Sequence, residues 1–332
     1  MTGHDALRLA TRGSALALAQ ARLVAGLLER AEPSLAVKLV TVRTAGDERP
    51  PRGAPAASDG SPAPEKLAAA GEPGDKSRFV KEIEEALLAG DADLAVHSAK
   101  DLPGELPEGL AIVGVPPRAD ARDALCGAAG SLEALAPGAR VGTSSLRRRA
   151  QLLAAREDLD VVELRGNVDT RLRRLSEGDF DGVVLALAGL ERLGRPEGSP
   201  VDPECMTPAP GQGCLALEAP AGDERVAELA ARVTDRDALV RLTAERAVTS
   251  ELDASCRTPI GVHATLAGDD SGPLTINTFV GLPDGSTWLR DRVEGEGSGA
   301  VALGREMARR LVTAGAPDIL AAAEADEPPR SQ

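Results

Sequence analysis

The pattern of apolar residues constrains the fold of this chain more than any other feature of its sequence. Short apolar runs of strand length alternate with longer segments in which apolar residues recur at helical spacing. The strand-like runs lie at 7–10, 37–43, 94–97, 111–115, 140–144, 161–165 and 182–188. The helical segments between them begin at Ser14, Phe79, Ser145 and Val168. This alternation is typical of α/β layers with mainly parallel strands.

The last third of the chain has a different order of elements. From about Val226 two helical stretches precede two strand-like segments, 274–282 and 286–293, and a closing helix, 299–313. This order predicts a small α+β C-terminal domain, and 332 residues allow two or three domains at about 150 residues each. Residues 46–75 are rich in Pro, Gly, Ala, Ser and Asp without an apolar period, which predicts a flexible insertion.

Composition and charge argue against several classes of function. The net charge of −14 and the aromatic content of one Trp, three Phe and no Tyr disfavour nucleic-acid or anionic-membrane partners. The sequence contains no apolar run long enough to span a membrane and no signal-peptide pattern. Its cysteines lack zinc spacing, which predicts reduced thiols in a cytoplasmic protein without a metal. They are Cys126, Cys205, Cys214 and Cys256.

Arginine greatly outnumbers lysine, with 33 Arg and 5 Lys. An acidic, Lys-poor and Ala-rich surface would keep a protein soluble in a high-salt cytoplasm, which is the halophilic interpretation. A GC-rich genome produces the same bias without the salt. The composition therefore leaves both interpretations open.

Positive charge is concentrated in residues 140–174, which hold nine Arg and five acidic residues. In VGTSSLRRR (141–149) a strand ends, small hydroxyl residues follow and a helix begins, and such helix N-termini favour anions. LRGNV (164–168) ends the next strand, and ligands of open α/β sheets bind at the carboxyl ends of strands. The arginines are suited to a polycarboxylate or a phosphate. The alternative is a pair of solvated helix faces with salt bridges.

Three other segments carry candidate functional residues. HSAKDLP (97–103) follows a strand, although His97 is also explained as a structural histidine and Lys100–Asp101 as an exposed ion pair or turn. TRGS (11–14) has the same arrangement, with plain helix capping by Ser14 as its alternative. Cys256 lies in a predicted loop beside Arg257, which would favour its thiolate, whereas most lone cysteines are inert.

Nine segments, taken in order, resemble the porphobilinogen deaminase (hydroxymethylbilane synthase) family. They are TRGSALALAQ, RFVKEIEEALL, LAVHSAKDLP, VGTSSLRRRAQL, LRGNVDTRL, LALAGLERLG, PGQG, TAERA and CRTPIG. The resemblance covers nearly the whole chain outside 46–75 and the C-terminal tail. Nine ordered motifs, several of eight residues or more, make it highly specific.

The resemblance implies a three-domain architecture. Two periplasmic-binding-protein-like (type II) α/β domains would enclose the active cleft, and a small α+β C-terminal domain would carry the cofactor. Domain 1 would comprise 1–116 and 214–231, domain 2 117–213, and domain 3 232–332. The PGQG segment would then be a turn or hinge between domains.

The resemblance also implies an activity, a cofactor and site residues. The enzyme would be a monomeric transferase that joins four porphobilinogen molecules head to tail, releasing ammonia and linear hydroxymethylbilane. A dipyrromethane cofactor would be bound by a thioether to Cys256. The catalytic positions fall on Asp101 and Lys100. Cofactor contacts fall on Cys256, Ser145, Arg147, Arg148, Lys100, Asp101 and Arg192. Substrate contacts fall on Arg12, Ser14, Gln20, Arg165, Arg171, Gln212, Lys76 and Phe79.

One segment departs from the family pattern. The family's active-site loop reads like GGKGLFVKE, whereas this chain has GDKSRFVKE, which retains Lys76 and Phe79 but loses the flanking glycines. The insertion at 46–75 enters the same loop.

A non-catalytic solute-binding protein for an anionic small molecule is the alternative from another class. It would explain the arginine cluster, but it would not require Cys256 or a third domain. A LysR-type effector-binding module shares the two lobes, but the sequence has no helix-turn-helix.

Overall fold

A computed structural model describes residues 6–42, 76–195, 197–254, 258–268 and 272–325 of the chain. The insertion predicted at 46–75 and the predicted anchor Cys256 lie outside these ranges. Within them, no helix is both long and apolar enough to cross a membrane. Nor do these residues contain a group of three or more His, Cys, Asp or Glu side chains suited to holding a metal ion.

The described residues form strands and helices in an order close to the predicted alternation. The strands are β1 (Leu7–Arg12), β2 (Val37–Val42), β3 (Leu94–Ser98), β4 (Leu110–Gly114), β5 (Asp123–Cys126), β6 (Arg140–Thr143), β7 (Asp160–Glu163), β8 (Gly182–Ala186), β9 (Ser199–Pro200), β10 (Leu215–Pro220), β11 (Ile260–Leu266), β12 (Pro273–Gly281) and β13 (Trp288–Glu296). The helices are α1 (Ala15–Ala31), α2 (Lys76–Leu88), α3 (Leu146–Ala155), α4 (Val168–Ser176), α5 (Leu187–Arg192), α6 (Glu224–Ala231), α7 (Arg236–Glu251), α8 (Ala300–Thr313) and α9 (Ala316–Ala325). Short 3₁₀ turns lie at Ala99–Asp101, after β3, and at Gly297–Gly299, before α8.

The first domain is built on a five-stranded sheet in the order β2-β1-β3-β10-β4. Strand β1 pairs in parallel with β2 and with β3, while β10 is antiparallel to both β3 and β4. Helix α1 covers one face because its residues Ala21, Val24 and Leu28 recur at helical spacing and are buried against the sheet. Helix α2 covers the other face through Ile83 and Leu87.

The second domain repeats this architecture with the strand order β7-β6-β8-β5-β9. Strand β6 is parallel to β7 and β8, whereas β5 is antiparallel to β8 and β9. Each domain thus combines a parallel group of strands with antiparallel neighbours. The fold is α/β, with two such domains followed by a smaller one.

The expectation of mainly parallel strands holds for four of the five strands in each sheet, and the chain path explains the fifth. Strand β4 runs in the direction of β3 and therefore leaves the first sheet at the edge where β1 and β3 also end. The chain then enters the second sheet from that side, so β5 runs against β6 and β8. On the return path β10 enters the first sheet in the same way. Each crossing between domains therefore imposes one antiparallel strand.

The third domain is an antiparallel sheet, β11-β12-β13, packed against helices. Two of its strands, β12 and β13, match the predicted strand-like segments, while β11 was not predicted as a strand. Its core joins buried residues of the sheet, such as Val262 and Ile276, to Val248 of α7 and Met307 of α8. This confirms a small α+β C-terminal domain.

The two segments that cross between the first and second domains lie side by side. The Arg118 side chain on the outgoing crossing donates from Nε to the backbone oxygen of Gln212 on the returning one, at 2.9 Å. The backbone nitrogen of Ala119 donates to the oxygen of Gly213 at 3.2 Å. These bonds make the PGQG segment part of a two-stranded connection between the domains.

Candidate active site

The carboxyl ends of the parallel strands bring the predicted site segments together. In the first domain β1 ends at Arg12 beside β3, which ends at Ser98. In the second domain the neighbouring strands β6 and β7 end at Thr143 and Glu163. A cleft of about 560 Å³, including its open mouth, is lined by residues of both domains and of the third. Lys100, Ser145 and Arg147 all lie on its wall.

The turn that carries Lys100 and Asp101 packs against the PGQG segment. The Lys100 ammonium donates from Nζ to Oε1 of Gln212 at 3.2 Å. Gly211 has a φ of +71°, and a Cβ there would lie 3.0 Å from the backbone nitrogen of Lys100. Only glycine combines this conformation with so close an approach, and Gly211 therefore lets the PGQG segment place Gln212 against the Lys100–Asp101 turn.

The N-terminus of α3 is formed as the sequence predicts. Ser145 is its N-cap, and its Oγ accepts a hydrogen bond from the backbone nitrogen of Arg148 at 3.4 Å. The guanidinium groups of Arg147 and Arg148 are both buried and both donate to the carboxylate of Asp123. This arrangement differs from the solvated helix faces of the alternative interpretation.

Arg147 has a side-chain donor without a hydrogen-bond partner in the described part of the chain. Its Nε is buried and has no hydrogen-bond partner among the described residues. Burial lowers the pKa of Arg147. The charge of Asp123 opposes this shift, and the charge of Arg148 adds to it. An unpaired donor of this kind is costly in the absence of an anion and suits a carboxylate ligand.

The other arginines of the second domain differ in their exposure. Arg171 donates to Ser144 Oγ at 2.8 Å, and burial followed by repulsion from Arg148 lowers its pKa to about 10. Arg192 donates to the backbone oxygen of Gly213 at 2.6 Å, and its Nε is buried without a hydrogen-bond partner in the described part of the chain. Arg165 is exposed and pairs with Glu163 beside it.

The predicted residues of the first domain lie on and around α1. Ser14 caps this helix by accepting a bond from the backbone nitrogen of Ala17 at 3.3 Å. Gln20 is buried and donates from Nε2 to Ser98 Oγ at 2.8 Å, which fixes α1 to the end of β3. Arg12, at the end of β1, is partly exposed. Ser14 is therefore a helix cap, as the alternative interpretation of TRGS has it, and it lies beside the candidate site.

Three predicted site residues are described only in part or not at all. Lys76 and Phe79 lie in the first turns of α2, but their side chains are outside the described structure. Cys256 is outside the described residues altogether. The residues on either side of that gap, Ala254 and Thr258, both line the cleft.

Helix α7 contributes residues that the sequence analysis did not single out. Arg246 lines the cleft and donates from Nη2 to the backbone oxygen of Gly104, in the loop after Asp101, at 2.9 Å. Its neighbour Glu245 is fully buried and accepts bonds from the backbone nitrogens of Gly211 and Ala264, at 2.6 and 2.8 Å. Both residues lie in the TAERA motif, one of the nine segments that resemble the family, and this motif was the sequence signal that could have identified them.

His97 belongs to a buried acidic cluster rather than to the cleft wall. Its Nε2 lies 2.9 Å from Oε2 of Glu218, and both side chains are almost completely buried. Burial and then the neighbouring Glu218 raise the pKa of Glu84 on α2. This favours the structural interpretation of His97.

Comparison with known proteins identifies the family. A model described as "Porphobilinogen deaminase, dipyromethane cofactor binding domain" matches residues 7–228. A second, "Porphobilinogen deaminase, C-terminal domain", matches residues 239–313. The chain belongs to the porphobilinogen deaminase family. It is therefore a transferase, a hydroxymethylbilane synthase acting on porphobilinogen in tetrapyrrole biosynthesis, and it contains the family's dipyrromethane-binding domain.

Curated relatives match over nearly their whole length. The porphobilinogen deaminase of Trichlorobacter lovleyi is 43% identical over 316 residues, covering 95% of each chain. That of Syntrophotalea carbinolica is 45% identical over 321 residues, covering 96% of each chain. These family matches favour the enzyme over the solute-binding alternative.

The solved structures that resemble the chain include periplasmic binding domains. The VFT2 domain of Bordetella pertussis BvgS is 15% identical, with a TM-score of 0.39 over 69% of this chain and 86% of that one.

Proposed function

We propose that porphobilinogen units are joined in the cleft between the two α/β domains, with Asp101 and Lys100 as the catalytic residues. The observation that carries this proposal is the convergence of Lys100, Ser145 and Arg147 on one cleft. Lys100 belongs to the first domain, whereas Ser145 and Arg147 belong to the second. The resemblance to the family implies a functional role for all three positions.

The cationic residues bind the carboxylates of substrate and growing product. Each porphobilinogen brings two carboxylates, so the bound chain becomes more anionic with every addition. Arginine binds such groups bidentately, and a buried site strengthens the interaction. The proposed substrate contacts are Arg12, Ser14, Gln20, Arg165, Arg171, Gln212, Lys76 and Phe79.

Asp101 acts on the charge that develops during the reaction. Loss of ammonia from porphobilinogen leaves a cation whose charge extends onto the pyrrole nitrogen. A fixed carboxylate that accepts a hydrogen bond from this N–H stabilises the cation as it forms. The same carboxylate accepts a proton when the pyrrole ring becomes aromatic again. Lys100 binds a carboxylate beside it and is itself oriented by Gln212.

The residues around the cleft fit a dipyrromethane group attached to Cys256. Ala254 and Thr258, which flank the undescribed Cys256 segment, line the cleft together with Ser145 and Arg147. The unpaired Nε of Arg147 is a donor for one of its carboxylates. Arg148 and Arg192 complete the proposed set. When bound, the group supplies the terminal pyrrole carbon to which the first substrate unit is added.

We further propose that the enzyme is monomeric and cytoplasmic and that it has no nucleic-acid or membrane partner. In the proposed division, domain 1 comprises 1–116 together with 214–231, domain 2 comprises 117–213, and domain 3 comprises 232–332. The net charge of −14 supports the absence of polyanionic partners.

The same acidic composition supports a halophilic origin. Activity and folding that are greatest at low salt would contradict the halophilic proposal.

The intact mass of the purified protein tests the cofactor and its anchor. We expect an excess equal to two linked pyrrole units, located by peptide mapping on the peptide that contains Cys256. The Cys256→Ala variant should lose this excess, whereas Cys205→Ala, which changes an exposed cysteine, should retain it. A Cys256→Ala protein that still carried the pyrrole mass would show that the anchor lies elsewhere.

An unmodified wild-type mass calls for one further measurement. Porphobilinogen is added to the protein, and the mass is determined again. A gain of pyrrole units identifies an apo-enzyme, whereas no gain, together with no consumption of porphobilinogen, contradicts the proposed function.

A further inference from the structure

Asp123 is a buried carboxylate behind the wall of the cleft. It is the first residue of β5, at the point where the chain enters the second domain, and its side chain has no exposed surface. Burial by itself would raise its pKa, but the adjacent guanidinium groups of Arg147 and Arg148 lower that pKa well below its usual range. The two guanidinium groups therefore favour the ionised form of Asp123.

This carboxylate accepts hydrogen bonds from three side chains of the candidate site. Arg147 donates from Nη1 to Oδ2 at 2.7 Å. Arg148 donates from Nε and Nη2 to Oδ1 at 3.0 and 2.8 Å. Gln212 donates from Nε2 to Oδ1 at 2.9 Å. Three of these bonds go to Oδ1 and one to Oδ2. Because the side chain of Asp123 is fully buried, a ligand does not reach its remaining acceptor position.

Two of the three bonded residues are linked in turn to the cleft. Arg147 lines it, and its Nε has no hydrogen-bond partner within the described ranges. Gln212 accepts a bond from the ammonium group of Lys100, which links Asp123 to the catalytic turn through a single side chain. With two guanidinium groups and one carboxylate, this buried cluster has a net charge of +1. A long arginine side chain loses much rotamer freedom when it is held in this way, before any ligand binds.

We propose that Asp123 is a positioning residue for the reaction: it holds Arg147 and Arg148 in place, and through Gln212 it orients Lys100 toward the carboxylates of the substrate. The proposal rests on the assignment of the cleft as the active site. Asp123 itself touches neither substrate nor cofactor in this arrangement. Asp123 acts by holding the neighbouring guanidinium and ammonium groups in the orientation in which they bind an anion.

The test is the steady-state kinetics of Asp123→Asn in the cofactor-loaded enzyme, with porphobilinogen as the varied substrate. Asparagine keeps the shape but removes the charge, so the guanidinium groups lose a charge-assisted anchor. We expect KM to rise about tenfold or more, with a steeper dependence of KM on sodium chloride concentration than in the wild type. A residue with a merely structural role would reduce the fraction of active enzyme, and hence apparent kcat, and would leave KM unchanged.

Two further variants keep the test decisive. Asp181→Asn changes an exposed carboxylate of the same domain that accepts a bond from the backbone nitrogen of Arg140, and its KM should equal that of the wild type. If Asp123→Asn does not fold, Asp123→Glu retains the charge and displaces the carboxylate by one methylene, and it too should raise KM. An unchanged KM in the folded variant would overturn the proposal. A wild-type enzyme that does not consume porphobilinogen would instead contradict the proposed function.

Discussion

Arg118 donates from Nη1 and Nη2 to the two carboxylate oxygens of Glu245, at 2.8 and 3.2 Å. Both side chains are almost completely buried, and they join the outgoing interdomain crossing to helix α7 of the third domain. Glu245 also accepts bonds from backbone nitrogens at Gly211 and Ala264. This one pair therefore connects the third domain to the interdomain connection on which Gln212 lies.

Neutralising Glu245 should destabilise the protein strongly. In Glu245→Gln the buried guanidinium of Arg118 loses its counter-charge, and an amide cannot accept all the bonds that the carboxylate accepts. We expect the free energy of unfolding in urea to fall by about 3–5 kcal/mol. Glu294→Gln, which breaks an exposed pair with Arg292, should cost less than about 1 kcal/mol. Equal losses in the two variants would contradict a special role for the buried pair.

The close approach at Gly211 should make this position intolerant of any side chain. A Cβ there would meet the backbone of Ala99 and Lys100 at 3.0 Å and would displace the turn that carries Asp101. We expect Gly211→Ala to lower turnover about 100-fold through misplacement of the catalytic groups. Gly138→Ala is the matched control, because Gly138 has a φ of +74° but nothing within 4 Å of its Cβ position. It should lose about 1–3 kcal/mol of stability and retain turnover.

The sequence predicted the local elements of the site better than their long-range connections. The helices predicted to begin at Ser14 and Ser145 are observed, and both residues are N-caps, because a cap depends only on neighbouring residues. The antiparallel entry of β10 was not predicted, since it follows from the path of the chain between domains. Asp123 was missed for a similar reason. Its partners Arg147 and Gln212 are 24 and 89 residues away in sequence, and no local pattern indicates such a pairing.

The charge of Asp101 should be necessary for turnover and unnecessary for folding. Asp101→Asn keeps the side-chain shape but cannot stabilise a developing cation, so we expect turnover to fall at least about 100-fold. The intact mass should still show the attached dipyrromethane. Glu105→Gln changes an exposed carboxylate in the loop after the catalytic turn and should have normal turnover. Near-normal turnover in Asp101→Asn would remove this residue from the mechanism.

The buried cluster around Glu84 should make stability depend on pH. Burial, and then the charges of Glu218 and Glu85, raise the pKa of Glu84 above its usual 4.5, while His97 partly opposes them. The folded protein therefore binds this proton more tightly than the unfolded chain, and the resulting stabilisation is present below about pH 4.5 and lost as pH rises through the folded-state pKa. The side chain of Glu84→Gln stays neutral at every pH. The free energy of unfolding of this variant minus that of the wild type, measured by urea titration, should therefore increase as pH rises from about 4.5 through the folded-state pKa of Glu84.

The control for this prediction is an exposed carboxyl group of the same domain. Glu108→Gln changes an exposed residue before β4 and is measured in the same urea titrations. If the Glu84→Gln difference did not change with pH, Glu84 would titrate alike in the folded and unfolded chains. The proximity of Glu84 to Glu218 would then have no energetic consequence. If the difference instead decreased with pH, the carboxylate form of Glu84 would be the stabilised one, with His97 outweighing both burial and Glu218.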